Sequence, residues 1–335
     1  MKQIVIKENE AGQRLDKYLH KYFKEAPSSF IYKMLRKKNI ILNDKKAAGS
    51  EKLFIGDEIR LFLSEETIGK MSGNTLDPLN GSPHFGIEEY KAAYDKYNRL
   101  EIIYEDHHIL IVNKPAGILT QKATADDLSL NEWFIGYMLS HEEITKEELR
   151  TFKPSVCNRL DRNTSGMIIC GKTLPGSQKM NELLNNRGLH KFYRLYVKGK
   201  VTDASLIDGY LIKDEKKNTV KVSSKQFFDN ASYIKTKYEP LKIQEDKTLL
   251  EVELITGKTH QIRAHLASVG HPLLGDYKYG DKTFNDLYKK KYKIKSQLLH
   301  AYRLEFPELN GEFEEISGRI FTATEPEIFR VLEGG

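Results

Sequence analysis

The chain has little of what marks several large protein classes. Two of its 335 residues are cysteine, Cys157 and Cys170, too few for a disulfide framework and not in CxxC spacing, so a reduced, cytoplasmic setting is expected. No run approaches eighteen apolar residues, which argues against a membrane span. The opening MKQIVIKENEAGQRLDKYL turns charged too soon to serve as a secretory leader. GxxxxGK[ST], GxGxxG, GxSxG and HExxH are all missing, so phosphate-loop, dinucleotide-binding, nucleophile-elbow and zincin chemistry lose their sequence support. Three histidines do cluster, His260, His265 and His271, but the first two lie about 140° apart around a helix, not the one-face spacing of paired ligands. Neither a metal nor a cofactor is expected.

What is present is a folding sequence with uneven charge. Hydrophobic residues make up 39% and aromatics 10%, which favours packed domains over disorder, and the length suits two of them. Residues 1–63 carry fourteen Lys and Arg against eight Asp and Glu, so the whole net charge of +6 resides there and the other 272 residues balance. A small basic module attached to a neutral body suggests a nucleic-acid partner, although a solvated lysine-rich surface has the same composition.

In the basic module, Leu15, Tyr18, Leu19, Tyr22 and Phe23 recur on one helical face. Pro27 with Ser28 and Ser29 offers a break and a cap for a second helix that buries Phe30, Ile31, Met34 and Leu35 and ends in Arg36, Lys37 and Lys38. Short strands with turns at Asn43-Asp44 and Gly56-Asp57 follow. Residues 65–98 read as a linker, punctuated by glycine and proline, with helical character only from about Ile87. Beyond it, LEIIYEDHHILIVNKP, SGMIICGK, KFYRLYVKGK and KTLLEVELITGK are strand candidates, separated by helical stretches near 129–140, 175–188 and 259–269. The fold expected is α+β, with a large, mainly antiparallel sheet flanked by helices and loops. In the last helix Thr259 is placed to cap, Ile262, Leu266 and Val269 to form the apolar stripe, and Arg263 to flank it, where its cation can reach a neighbouring carboxylate.

NRLDRNTSG, residues 158–166, holds Asp161 between Arg159 and Arg162 just before a buried apolar run. A guanidinium neighbour favours the ionised carboxylate, and such a group can act as a nucleophile. A structural salt bridge in a turn remains the plainer alternative. On residues alone the reading stops at a nucleic-acid enzyme with a candidate aspartate nucleophile.

Taken together, these segments resemble the RluA-type family of RNA pseudouridine synthases. NRLDRNTSGMIICGK, KFYRLYVKG, TGKTHQIRAHLASVGHPLLGDYKYG, LLHAYRLEFP and IIYEDHHILIVNKPAGIL match its motifs in order, from about residue 100 to 325. Residues 13–63 separately resemble the S4 RNA-binding module, and APSSFIYKMLRKKNIILN is most similar to the subgroup acting on large-subunit (23S) rRNA. The resemblance implies an S4-like α/β module over 1–64, a linker over 65–98 and a catalytic domain over 99–332. It implies an isomerase that flips a uridine out of structured RNA and needs no cofactor. Asp161 would be the catalytic aspartate, Arg263 its partner and Tyr193 the base-stacking ring. Arg159, Arg162 and Lys191 would meet substrate at the pocket, and Arg36, Lys37 and Lys38 would meet it from the basic module. Asn158, Asn163 and Leu195 depart from the usual His, Asp and Ala. With no heptad or symmetric motif, a monomer is expected. A non-catalytic RNA-binding assembly factor, or the same chemistry on tRNA, stays open.

Overall fold

Apolar spacing in the first sixty residues demands two helices laid on a small sheet. The computed structural model, which describes residues 1–73, 87–214, 219–226 and 229–334, has that arrangement. The elements are β1 (Lys2–Val5), α1 (Leu15–Tyr22), α2 (Ser28–Arg36), β2 (Ile40–Leu42), β3 (Lys45–Lys46) and β4 (Glu58–Leu61), with the sheet in the order β1-β4-β2-β3. Leu15, Tyr18, Leu19 and Tyr22 of α1 and Ile31, Met34 and Leu35 of α2 share one core with Ile40, Ile59 and Leu61. Asn43 and Asp44 take φ of 49° and 61°, the left-handed pair that a two-residue hairpin requires. Ser28 and Ser29 do not cap α2: they lie inside it, and Pro27 occupies the N-cap with no side-chain bond.

The stretch expected as a linker is helical at both ends. α3 (Glu65–Met71), capped by Ser64 accepting from the Thr67 amide, adds Ile68 to the N-terminal core. α4 (Ile87–Lys96) adds Tyr90 and Ala93 to the main one. Residues 74–86 of that expectation lie outside the described residues.

The body then runs β5 (Glu101–Glu105), β6 (Ile109–Lys114), α5 (Leu130–Ser140), β7 (Ser155–Val156), β8 (Ser165–Gly171), α6 (Leu174–Asn185), β9 (His190–Lys198), β10 (Ser205–Asp214), β11 (Thr219–Ser223), β12 (Ser232–Ile243), β13 (Lys247–Leu254), α7 (Gln261–Ser268), α8 (Lys282–Tyr292), β14 (Leu299–Glu305), β15 (Ile320–Thr322) and α9 (Glu327–Glu333). Eleven of these strands form one sheet among the described residues. Its order is β11-β10-β12-β13-β9-β14-β8-β6-β5, with β15 on β14 and β7 on β8. Its pairings are antiparallel except β14 with β8. Strands β6 and β8 read as unbroken apolar runs because both faces are covered. Leu110, Val112, Ile168 and Cys170 share a core with Trp133 and Phe134 of α5, while Ile109, Ile111, Met167 and Ile169 share another with Met180 and Leu183 of α6 and with Phe321. No helix among the described residues is long and apolar enough to cross a membrane.

Two half-sheets therefore meet at β14, paired with β8 on one side and β9 on the other. Gly166 makes that seam. Its φ is +112°, and a Cβ there would lie 2.3 Å from the Ala301 carbonyl oxygen, its register partner on β14.

The N-terminal module docks through polar contacts. Lys2 pairs with Glu147 at 2.9 Å, Lys7 with Glu148 at 2.7 Å, and His107 with Glu8 at 2.8 Å. Asn9 accepts from the Leu174 amide and Glu10 from the Thr151 hydroxyl, both at 2.9 Å. Exposed ion pairs contribute roughly 0–1 kcal/mol each, so orientation rather than strength is what they supply. Gly166→Ala is expected to lower stability by about 2–4 kcal/mol in urea unfolding, since overpacking and a left-handed backbone act together. A loss below about 0.5 kcal/mol would show that the seam can shift to admit a methyl group.

Candidate active site

The chemistry-bearing segment begins at the end of β6. Lys114 is wholly buried, and its ammonium donates to the carbonyls of Pro115 (3.0 Å), Ile118 (2.9 Å) and Arg162 (3.1 Å), which uses all three of its hydrogens. Burial pushes this ammonium down to about 7, and the charge of Asp161 opposes the shift. The Gly117 amide donates to the same Arg162 carbonyl at 2.8 Å. The Thr120 hydroxyl donates to Leu160 O at 2.8 Å and accepts from Leu160 N at 3.2 Å. Asn158 laces the other side, donating to Met167 O at 3.2 Å and accepting from the Ile169 amide at 2.8 Å. These bonds give the Asn158 departure a structural account: its amide fits between backbone groups of β8. Asp161 thus sits in a turn, closed by Thr164 N–H to Asp161 O at 3.0 Å, whose flanks are pinned on both sides.

Arg263 reaches that turn from the far half-sheet. It is 7% exposed, and its Nη1 donates to Asp161 Oδ2 at 2.8 Å. Its Nε and Nη2 grip Asp276 in a two-bond fork at 2.7 and 3.0 Å. Asp276, 1% exposed, also accepts from the amides of Lys278 (2.9 Å) and Tyr279 (3.2 Å). Burial works against ionisation of Asp276, but the Arg263 guanidinium and these amides outweigh it and hold the carboxyl below the usual range. Asp276 follows Gly275, whose φ is +82° and whose Cβ would sit 2.2 Å from Ser296 O.

The expectation that Asp161 is held by the arginines adjacent in sequence is corrected. Arg162 points to Asp127 at 3.8 Å, and its side chain is 56% exposed. Arg159 is exposed, and the carboxylate's guanidinium partner is Arg263. Both adjacent arginines nevertheless line the same cleft of about 980 Å³, as do Asp161, Lys191, Tyr193 and Arg263. Tyr193 stands on β9, buried, with its phenol pushed up in pKa by that burial and by Asp161. Burial and Arg187 pull the Lys191 ammonium down. Arg36, Lys37 and Lys38 are exposed around the end of α2 and do not line the cleft.

The start of α7 also differs from expectation. Thr259 does not cap it. His260 occupies the N-cap in a left-handed conformation (φ 54°, ψ 16°) with no side-chain cap bond. Ile262 and Leu266 are buried, whereas Val269 lies past the helix end and is 41% exposed. The three histidines take separate hydrogen-bond partners: Tyr279 for His260, Thr236 for His265 and Lys198 O for His271. The ligand-type residues that converge among the described residues are Glu8, His107 and His108, at the junction of the two modules and outside the cleft lining. Asp276, Tyr279 and Lys114 were not singled out from sequence. Their signal lay in LLGDYKYG and VNKP, which drew notice as motif text rather than as an acid and a lysine inside apolar surroundings.

Residues 108–268 match the family described as RNA pseudouridylate synthase. Ribosomal large subunit pseudouridine synthase C of Vibrio parahaemolyticus is 30% identical over 341 residues, covering 98% of this chain and 95% of that one. The protein of the same name from Escherichia coli is 30% identical, with 91% and 88% covered. Among solved structures, human RNA Pseudouridylate Synthase Domain Containing 4 superposes with a TM-score of 0.56 at 20% identity over 73% of this chain and 95% of that one, a likeness of fold. The chain belongs to the RluA-type family of RNA pseudouridine synthases, which are isomerases.

Asp276→Asn keeps the shape but removes the charge that fixes Arg263. It is expected to lower kcat roughly 10–100-fold, the scale seen when a supporting partner of a functional side chain is lost, with KM for RNA little changed. Steady-state pseudouridine formation measures this, and an unchanged kcat would mean that Asp161 alone orients Arg263.

Proposed function

We propose that this enzyme isomerises particular uridines of large-subunit (23S) rRNA, acting as a cytoplasmic monomer. The observation that carries the reading is the 2.8 Å bond from Arg263 to Asp161 in a cleft that Tyr193 lines. Support for the substrate comes from the relatives named ribosomal large subunit pseudouridine synthase C, which match over 91–98% of this chain.

In this reading the target nucleotide flips out of its stack, at a cost of a few kcal/mol, and uracil stacks on Tyr193, a contact worth about 1–3 kcal/mol. Asp161 addresses the ribose, by attack at C1′ or removal of the 2′ proton. The N1–C1′ bond breaks with its electron pair passing to uracil, and the freed base turns. C5 bonds to C1′ as the Asp161 oxygen leaves C1′ or the 2′ proton returns, and the proton lost from C5 is matched by one gained at N1. Arg263 aims the carboxylate and keeps its charge compensated. Arg159, Arg162 and Lys191 hold phosphates at the cleft.

The N-terminal module acts as an S4-like anchor over 1–64, with Arg36, Lys37 and Lys38 on its exposed rim. A second basic surface supports the same reading. Six lysines lie between 282 and 295 against one acid, Asp286, in a body whose total charge, these residues included, is zero. Lys289, Lys290, Lys293 and Lys295 are exposed and, with Asp286, line a shallow concavity of about 350 Å³.

Pseudouridine mapping of total RNA from cells carrying wild-type or Asp161→Asn protein tests the reaction. Loss of one or a few large-subunit sites is the expected result. Loss in tRNA instead would move the target, and no loss anywhere would favour an assembly factor that only binds. Changing Lys289, Lys290, Lys293 and Lys295 to Ala is expected to flatten the salt dependence of RNA binding by about 0.7–0.9 in log–log slope for each phosphate contact removed. An unaltered slope would mark that face as merely solvated.

A further inference from the structure

His260 occupies a position that an ordinary helix start does not need. It is a non-glycine residue in the left-handed region, it makes no cap bond, and its side chain is 9% exposed and turned into the cleft. A backbone held in this region against its preference calls for a reason. The reason lies in what the two ring nitrogens face. Nδ1 is 2.9 Å from the hydroxyl of Tyr279, and Nε2 is 3.7 Å from Oδ2 of Asp161.

The direction of these bonds follows from one fixed donor. The Val220 amide on β11 lies 2.9 Å from the Tyr279 oxygen and can only donate. Strand β11 is the sheet edge, so this amide has no strand partner on its outer side, and the phenol supplies one. With its oxygen accepting from Val220, Tyr279 has a hydroxyl hydrogen to place, and His260 Nδ1 is the acceptor in reach. If Nδ1 carried the hydrogen instead, two hydrogens would point at the phenol oxygen and its own would have no acceptor among the described residues. Nδ1 therefore accepts, which leaves the single ring hydrogen on Nε2, facing Asp161.

We propose that Val220, Tyr279 and His260 form a hydrogen-bond relay that holds His260 as the neutral Nε2–H tautomer and presents that N–H to Oδ2 of the catalytic aspartate, making His260 and Tyr279 positioning residues for the reaction. This rests on the reading of Asp161 as the reacting group. Oδ2 then lies between two donors, Arg263 Nη1 at 2.8 Å and His260 Nε2. Both of these contacts fall on Oδ2, which leaves Oδ1 as the oxygen for ribose. The 3.7 Å separation exceeds a hydrogen bond, as is common in sites before substrate enters. Neutrality matters because an imidazolium there would add a second cation beside Arg263 and could hand Asp161 a proton.

The charged groups beside the ring act in both directions, and the balance favours the neutral form. Burial, Arg263 and Lys278 disfavour the imidazolium, while Asp161 and Asp276 favour it, and the ring's pKa ends below its ordinary value. The hydrogen bond from Tyr279 stabilises the neutral form as well.

Tyr279→Phe is the test, because the ring stays and only the hydroxyl goes. In 15N-edited spectra of the wild-type protein, His260 is expected to show a bare Nδ1 and a protonated Nε2. In Tyr279→Phe the tautomers should mix and the midpoint of the His260 titration should rise. The acid limb of kcat should move to higher pH by the same amount, kcat at neutral pH should fall about 5–30-fold, and KM for RNA should hold. His260→Gln, which keeps a side-chain N–H without titrating, should retain more activity than His260→Ala and lose that acid limb. A wild-type His260 protonated at Nδ1, or an acid limb unmoved in Tyr279→Phe, would overturn the relay. The spectra need no turnover, so the outcome separates from that of Asp161: full activity in Asp161→Asn would sink the reading of the aspartate while leaving the tautomer as assigned.

Discussion

A single guanidinium shared by two carboxylates is what the rest of the site depends on. Arg263 is buried and bridges Asp276, wholly enclosed, and Asp161, which opens onto the cleft. Taking such groups out of water is expensive, and leaving one unpaired typically costs about 3–5 kcal/mol. The pair Arg263–Asp276 is therefore a fixed object, and its third hydrogen-bonding direction is aimed by that fixity. What looks like an ion pair for stability acts as a mount for Asp161, the carboxylate proposed to react.

The mount and the carboxylate belong to different half-sheets. Asp161 precedes β8, while Tyr193 lies on β9 and Arg263 follows β13. Each side is made rigid in its own way. The Asp161 turn is pinned by Lys114, Gly117, Thr120 and Asn158, all through backbone groups. The Arg263 side is pinned by charge and by packing of α7, where Ile262 and Leu266 enter the main core and Ala264 meets Leu211, Val220 and Ile234. Neither side needs the other to keep its shape, so the distance across the cleft is set by the seam between them.

Much of this was legible in the sequence. Period-3.6 spacing located α1 and α2, and unbroken apolar runs located β6 and β8, because these signals come from burial of one face or of two. The position of Arg263 beside the Ile262–Leu266 stripe pointed to a neighbouring acid for the same reason. The identity of the acids was harder. Arg159 and Arg162 flank Asp161 in sequence, yet Arg162 turns toward Asp127 and Arg159 stays exposed, so neither grips it. Asp276 sits 13 residues from Arg263 and 115 from Asp161, a separation that only the fold closes. Thr259 suggested a cap, but a capping side chain bonds backbone, whereas His260 in its left-handed turn places a ring in the cleft. Charge counted over the body cancelled the lysines after Lys282 against acids elsewhere, which hid a local surface inside a neutral total.

The place of β14 has a consequence in time. As the chain leaves the ribosome, β5 to β8 can pair first and β9 to β13 next, but among the described residues no strand pairing joins these two blocks until β14 slides between β8 and β9. The N-terminal module, with its own core, is complete long before that. On the proposed reading of that module as an RNA anchor, a nascent molecule already holds RNA while Asp161 and Arg263 still lie on unjoined halves. The N-terminal module closes early in synthesis and the Asp161–Arg263 pair late, with one inserted strand as the step that separates them.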